Sequence, residues 1–322
     1  MKKSTFWGRL EMIPVPILST MGGAITLSNY MHGFGFEWVR HATTWTAIVI
    51  FLCYLGKIIL FSKTCVNEYN QVIFRSLYPG FFMLAMSISA YLLPYIPKIA
   101  KTIWLSAIML HVCHIIYFTY RTIIKEFNWD TFMPSWFVTY NGVLVSTVVG
   151  KDMNEPFLAK CLIYYGITVY IIILPFMLYR LNTKKINVNY YHTQAVILAP
   201  SALCLTSYLN FVKEVNIYLV AFLYISMLLA LGFVIWKLPR FFSLPFAPGY
   251  ASLTFPMAIA TMASDELAIV LGDMGLEQVS HVINQLAGFQ LYITTMIIGY
   301  VLLQFLMKLI EVEMPVGEAE TD

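Results

Sequence analysis

Apolar residues run along this chain in long blocks, and charged residues fall almost entirely between them. Ten stretches essentially free of Asp, Glu, Lys and Arg cover residues 12–36, 41–56, 76–97, 102–120, 131–150, 161–179, 186–212, 215–236, 241–264 and 278–307. A helix that crosses a bilayer takes about 17–25 residues. The pattern therefore predicts an all-α membrane protein with ten transmembrane helices. Residues 1–322 then form a single membrane domain, with short tails at about 1–11 and 311–322. The second block has only sixteen residues and borrows the turn after Lys57. The Lys57 ammonium is expected to snorkel to the interface.

Prolines divide the ten blocks into two kinds. Pro14, Pro79, Pro134, Pro200 and Pro256 fall in the first, third, fifth, seventh and ninth, at steps of 65, 55, 66 and 56 residues. Pro16 accompanies Pro14, and Pro175 is the one proline in an even block. A step near sixty residues confined to alternate helices points to five repeated hairpins. Proline leaves a backbone carbonyl unpaired: that of Val196 below Pro200, and that of Ser252 below Pro256. Such a group must meet protein or water, not lipid. The expected arrangement is an inner ring of five bent helices around a pore and an outer ring of five straight ones. The inner blocks also hold many small and hydroxylated residues, including Ser19, Gly22, Gly23, Ser87, Ser146, Thr206 and Ser252. These are expected to line the path.

Charge then sets orientation. Fourteen of the 20 Lys and Arg residues fall on the side that carries both termini, and six on the other. By the positive-inside rule the termini are cytoplasmic. The N-terminal MKKSTFWGRLEMIPVP continues into a full span and shows no small-residue cleavage site. Composition agrees with the pattern: 59% of residues are hydrophobic and 11% charged, against about 25% charged in a soluble domain. The net charge of +3 lies in loops between spans and gives no reason to expect a nucleic-acid partner. Five scattered cysteines without a CxxC argue for reduced packing residues rather than a disulfide or metal framework.

Parity predicts the charge of the cargo. All five inner helices start on the cytoplasmic side, and helix N-termini attract anions. Arg75, Lys184, Lys185, Lys237 and Arg240 are expected around the same vestibule. The ring of Asp or Glu expected of a cation channel is absent from the inner blocks. Proton-coupled transporters keep buried acids or histidines; the candidates are Asp265 and Glu266, at the outer end of the ninth block. His111 and His114, three apart in the fourth block, share a helix face and are the candidates for a haem or metal ligand.

Four stretches, MIPVPILSTMGGAITLS (12–28), MPSWFVTYNGVLVST (133–147), VILAPSALCLTSYLN (196–210) and YASLTFPMAIATMAS (250–264), resemble the tellurite-resistance/dicarboxylate transporter family. That family includes bacterial TehA channels and the slow-type anion channels of plant guard cells. The resemblance implies a homotrimer in the plasma membrane, with one pore per subunit conducting chloride, nitrate and similar small anions. It implies no cofactor, no metal and no enzymatic activity. It places a pore-plugging phenylalanine at Phe255 and a small pore-lining residue at Ser19. Two positions depart from the family pattern: serine stands for glycine at position 19, and Thr139 stands where relatives often carry a proline. The expected function is a passive anion channel gated by Phe255. The alternatives are a proton-coupled carrier of C4-dicarboxylate, sulfite or tellurite-type oxyanions, and a haem or metal oxidoreductase using His111 and His114.

Overall fold

A computed structural model describes residues 6–311, and these are helical, with no strand among them. The expected tails include residues 1–5 and 312–322, which lie outside the described residues. Within them, α1 (Phe6–Glu11) occupies most of the expected N-terminal tail. Eight helical stretches are long and apolar enough to cross a membrane. Of the remaining two blocks, the first forms α2 (Pro16–His32), only 17 residues long. The fifth is broken into α8 (Trp136–Tyr140), a 3-10 turn at Gly142–Leu144 and α9 (Val145–Val149).

The proline segments are interrupted near their starts. The third runs as α5 (Val72–Leu77) and then α6 (Gly80–Leu92). The seventh is a 3-10 helix over Val188–Leu198 that becomes α11 (Ala199–Phe211); the ninth is a 3-10 helix over Pro248–Leu253 that becomes α13 (Thr254–Asp273). Pro16, Pro200 and Pro256 sit in the first turn of their α-helices, where a missing N–H costs nothing. The expected mid-helix bends are thus helix starts. The carbonyl below Pro200 is satisfied by tightening: Val196 O accepts from the Ala199 N–H across an i+3 turn. Pro175, by contrast, lies inside the unbroken α10 (Pro156–Thr183).

The other helices are continuous: α3 (Glu37–Leu60), α7 (Pro97–Phe118, extended by a π turn at Thr119–Lys125), α10, α12 (Ile217–Phe242) and α14 (Glu277–Glu311). Each packs on the proline segment before it, α2 with α3, α6 with α7, α9 with α10, α11 with α12 and α13 with α14. Tight turns join several pairs, with Gly35 (φ 87°) and Gly275 (φ 79°) in the left-handed conformation that glycine adopts without strain. Between pairs, α6 touches α2 and α9, and α11 touches α9 and α13; α13 in turn touches α2.

Burial separates the two kinds. In the most apolar part of the third, seventh and ninth segments, 67%, 83% and 67% of residues are buried; in α3 the figure is 22%, and in the other continuous helices 33%. The continuous helices turn large apolar side chains outward, among them Trp45, Leu52, Ile116, Phe176, Leu229 and Met296. An outward apolar band is what lipid requires.

Lys57 departs from expectation. It does not snorkel but is fully enclosed. Its Nζ donates to Ile13 O and Glu68 Oε1, both at 2.7 Å. Glu68 comes from the short helix α4 (Ser62–Asn70), which folds back beneath α3 and supplies the missing partner.

Candidate functional site

A small cavity of about 30 Å³ lies inside the bundle, and its wall comes from all five proline segments. The first gives Pro16 and Ser19; the third, Leu77 and Met83; the fifth, Phe137, Val138 and Gly142. The seventh gives Val196, Ala199 and Leu203, and the ninth Ala251, Ser252, Phe255 and Pro256. No continuous helix contributes to this wall. The lining carries two hydroxyls, from Ser19 and Ser252, and no charge. Its volume is about that of one water molecule.

Local geometry explains why these residues meet. Where a segment changes from 3-10 to α, its helical phase shifts, so residues on both sides of the change can face one point. Val196 precedes the change into α11, and Ala199 and Leu203 follow it. Ser252 and Phe255 flank the same kind of change at the start of α13. Phe255 is buried, at 6% exposure.

Two adjacent glycines hold α2 against it for different reasons. A Cβ on Gly22 would stand 3.8 Å from Phe255 Cδ2, an ordinary contact. A Cβ on Gly23 would stand 2.6 Å from Phe255 N and 2.7 Å from Thr254 C, a clash with backbone that cannot swing away. Gly22→Ala is therefore expected to fold with unchanged or slightly raised thermal stability, since alanine favours helix by up to about 1 kcal/mol. Gly23→Ala is expected to lose about 1–3 kcal/mol through overpacking. Melting both variants in one detergent checks the contrast, and equal stability would remove this account of the α2–α13 contact.

Among the sequence candidates, Ser19, Ser252, Phe255 and Pro256 line the cavity, and Gly22 and Gly23 lie against Phe255 and its backbone. Pro14, Pro79, Pro134 and Pro200 are not on the wall; Pro16 is, and the other segments present neighbours of their prolines. Most hydroxylated residues expected on the path bond backward instead. Ser87 donates to Met83 O, Ser89 to Met86 O, Ser146 to Val143 O, Thr147 to Leu144 O and Ser201 to Leu198 O. They satisfy carbonyls of their own helices, a use that competes with lining a path. Thr139 donates to Ser76 O at 3.1 Å and so ties the fifth segment to the third.

The basic residues do not form one ring. Arg75 is fully buried, with Nε on Tyr69 O, Nη2 on Asn70 O and Nη1 on Thr122 Oγ1, each at 3.0 Å. Its charge is spent on holding the α4–α5 corner. Lys184 pairs with Asp130 at 2.9 Å. Lys237 lies over the Trp236 ring at 4.6 Å, close to Tyr191. Arg240 is exposed, and Lys185 lines a separate pocket.

His111 and His114 are buried and each has a protein partner, Thr139 O at 2.9 Å for His111 Nε2 and Tyr69 Oη at 2.9 Å for His114 Nδ1. Among the described residues no group of three or more His, Cys, Asp and Glu side chains is placed to hold a metal.

The fold and this cavity define an all-helical integral membrane protein whose interrupted helices enclose an uncharged internal space. The chain belongs to the SLAC1 family, described as voltage-dependent anion channels, which it matches over residues 15–307. It is thus a member of an anion channel and transporter family, and the likeness noted in its four proline-bearing stretches is a family relationship. No curated protein matches the chain.

Proposed function

We propose that each chain is a passive conduit for small anions such as chloride and nitrate, closed at the ring of Phe255. The observation that carries this reading is the cavity wall, drawn from five segments of one kind and from none of the other. The contacts α2–α6–α9–α11–α13–α2 complete a circuit around that space. On this reading α2 and the broken fifth segment are also crossings, so that ten helices form two concentric rings. The α-helical parts of four segments, α2, α6, α11 and α13, begin at the cavity. Their N-terminal dipole ends favour an anion there, and an uncharged wall neither traps nor repels one. The reading includes a homotrimer in the plasma membrane with both termini cytoplasmic, as the family likeness and the distribution of basic residues imply.

Reversal potentials in asymmetric chloride, nitrate and malate across a planar membrane test it. The expected result is a potential that follows the anion gradient. A potential that follows the cation gradient, or no conductance from purified chain, would overturn it.

One observation favours a second reading, proton-coupled carriage of an oxyanion. Glu266 lies eleven residues, about three turns, beyond Phe255 on α13 and so faces the same way. Its Oε2 is buried without a hydrogen-bond partner, beside Thr206 of α11. The neighbouring Asp265 instead accepts from the Tyr30 hydroxyl at 3.2 Å. In a passive channel, Glu266→Gln is expected to leave a current that does not depend on a pH gradient. In a coupled carrier the same change abolishes uptake driven by a pH gradient. Flux assays with and without that gradient separate the two.

A further inference from the structure

A second pocket, of about 410 Å³, opens where the proline segments begin. Its wall is drawn from three stretches, at residues 71–73, around Asp130 and Met133, and at positions between Arg180 and Tyr190. Ile73, Met133 and Tyr190 of this wall precede the cavity residues Leu77, Phe137 and Val196 by four, four and six positions. At a rise of 1.5–2.0 Å per residue, the pocket lies about 6–12 Å along those segments from the cavity. It stands on the approach to the closed space.

The pocket holds a buried guanidinium that, among the described residues, bonds directly to no carboxylate. Arg180, from the last turns of α10, is 2% exposed. Its Nε donates to Trp129 O at 2.7 Å and its Nη1 to Lys184 O at 2.8 Å. Among the described residues Nη2 has no hydrogen-bond partner and Arg180 makes no ion pair. Asp130 also lines the pocket, but its Oδ1 is held by Lys184 Nζ at 2.9 Å. That bond and the Lys184 charge, with a smaller contribution from the Arg180 charge, keep the Asp130 carboxyl below the usual carboxylate range, so Asp130 is bonded to Lys184 and acts on Arg180 only through space. Lys185 adds a further cation to the wall, and Gln71, Thr131 and Asn187 add neutral polar groups.

A buried cation with no counter-ion is costly, and a guanidinium fixed by two carbonyls is presented to whatever enters the space. Its planar fork suits carboxylate, phosphate and sulfate better than a spherical halide. We propose that this pocket binds a small oxyanion, through Nη2 of Arg180 with Lys185 assisting, at a site separate from the cavity closed by Phe255. That the site feeds the conduit rests on the channel reading above; that it binds an oxyanion does not.

The test uses the full-length chain purified in detergent and inorganic phosphate as probe, read as saturable thermal stabilisation at constant ionic strength with chloride as the balancing salt. Phosphate is expected to stabilise saturably. Lys185→Gln is expected to weaken binding about threefold, as for an exposed charge, and Arg180→Lys about tenfold, for loss of the planar fork. Lys237→Gln, outside the pocket, is expected to leave binding unchanged. If Arg180→Lys does not fold, the Lys185 and Lys237 pair still decides. Nanodiscs containing phosphatidylglycerol separate two sources of the oxyanion: competition with phosphate assigns the site to a lipid headgroup, and no competition assigns it to a soluble ion. Absence of saturable stabilisation, or equal binding in Lys185→Gln and wild type, overturns the site. Phosphate binding with no anion conductance would overturn the conduit alone, and conductance without phosphate binding would overturn this site alone.

Discussion

Phe255→Ala is expected to raise anion conductance several-fold above wild type at the same protein density. The ring lines the cavity from the ninth segment and lies against Gly22, and on the channel reading it is what closes the path. Moving an aromatic ring off its rotamer costs about 0.5–1.5 kcal/mol. Removing that cost alone raises the open population about two- to thirteenfold. The ring also gives up part of its burial when it swings into a wetted path, which is worth up to about 3 kcal/mol for a phenylalanine, so the rise can be larger. Truncating a buried Phe usually costs about 3–5 kcal/mol of stability. Here the loss is expected to fall below that range, because the space left behind joins a cavity that water can fill. Single-channel or macroscopic recording, paired with a melt of the same sample, checks both parts. A conductance equal to wild type in a variant that folds would remove Phe255 from the gate.

How far the sequence could be read depends on which physical signal each feature leaves. Long uncharged blocks announce membrane helices because every backbone group in lipid must be paired within its own segment. The contrast in burial between the two kinds of segment was legible because proline interruptions are confined to alternate blocks. The cavity wall was only half legible. Phe255, Ser19 and Ser252 could be found, but Leu77, Met83, Phe137, Val138, Val196 and Leu203 are ordinary apolar residues with no compositional mark. A signal did exist: each lies within six residues of its segment's proline, where the helix begins. The hydroxyls misled, since a serine that bonds its own helix and a serine that lines a path are identical as letters. The roles of individual basic residues are hidden for a related reason. Arg75 and Arg180 both end buried, but whether every nitrogen finds a carbonyl or hydroxyl is decided by loop conformation, which a single sequence does not display.

Lys57 supplies the second large effect, and the sign of the prediction separates two pictures of that residue. A lysine snorkelling into solvent would make Glu68→Gln nearly silent, within about 1 kcal/mol. The enclosed lysine found here loses the one carboxylate it pairs with among the described residues, with Ile13 O and the Tyr54 face at 5.5 Å left to hold a full charge. Breaking a buried pair in this way costs about 3–5 kcal/mol. The lower end is expected, because Glu68 is 26% exposed and water already reaches part of the pair. Lys57→Met is expected to cost less than Glu68→Gln. It removes the buried charge itself, and the freed carboxylate keeps the Tyr78 hydroxyl at 3.1 Å and access to water. The double variant Lys57→Met/Glu68→Gln is then expected to be more stable than Glu68→Gln alone, since no unpaired charge remains inside. Thermal melts of the four proteins complete the cycle. Strictly additive losses would show that the two side chains do not act as a pair, and would return Lys57 to the interface. The position matters beyond stability: Ile13 immediately precedes the Pro14–Pro16 turn, so this ion pair anchors the start of the first cavity-lining segment to α3 and α4. A loss of anchoring there is expected to disturb the placement of Pro16 and Ser19 before it disturbs Phe255, which is held from α13.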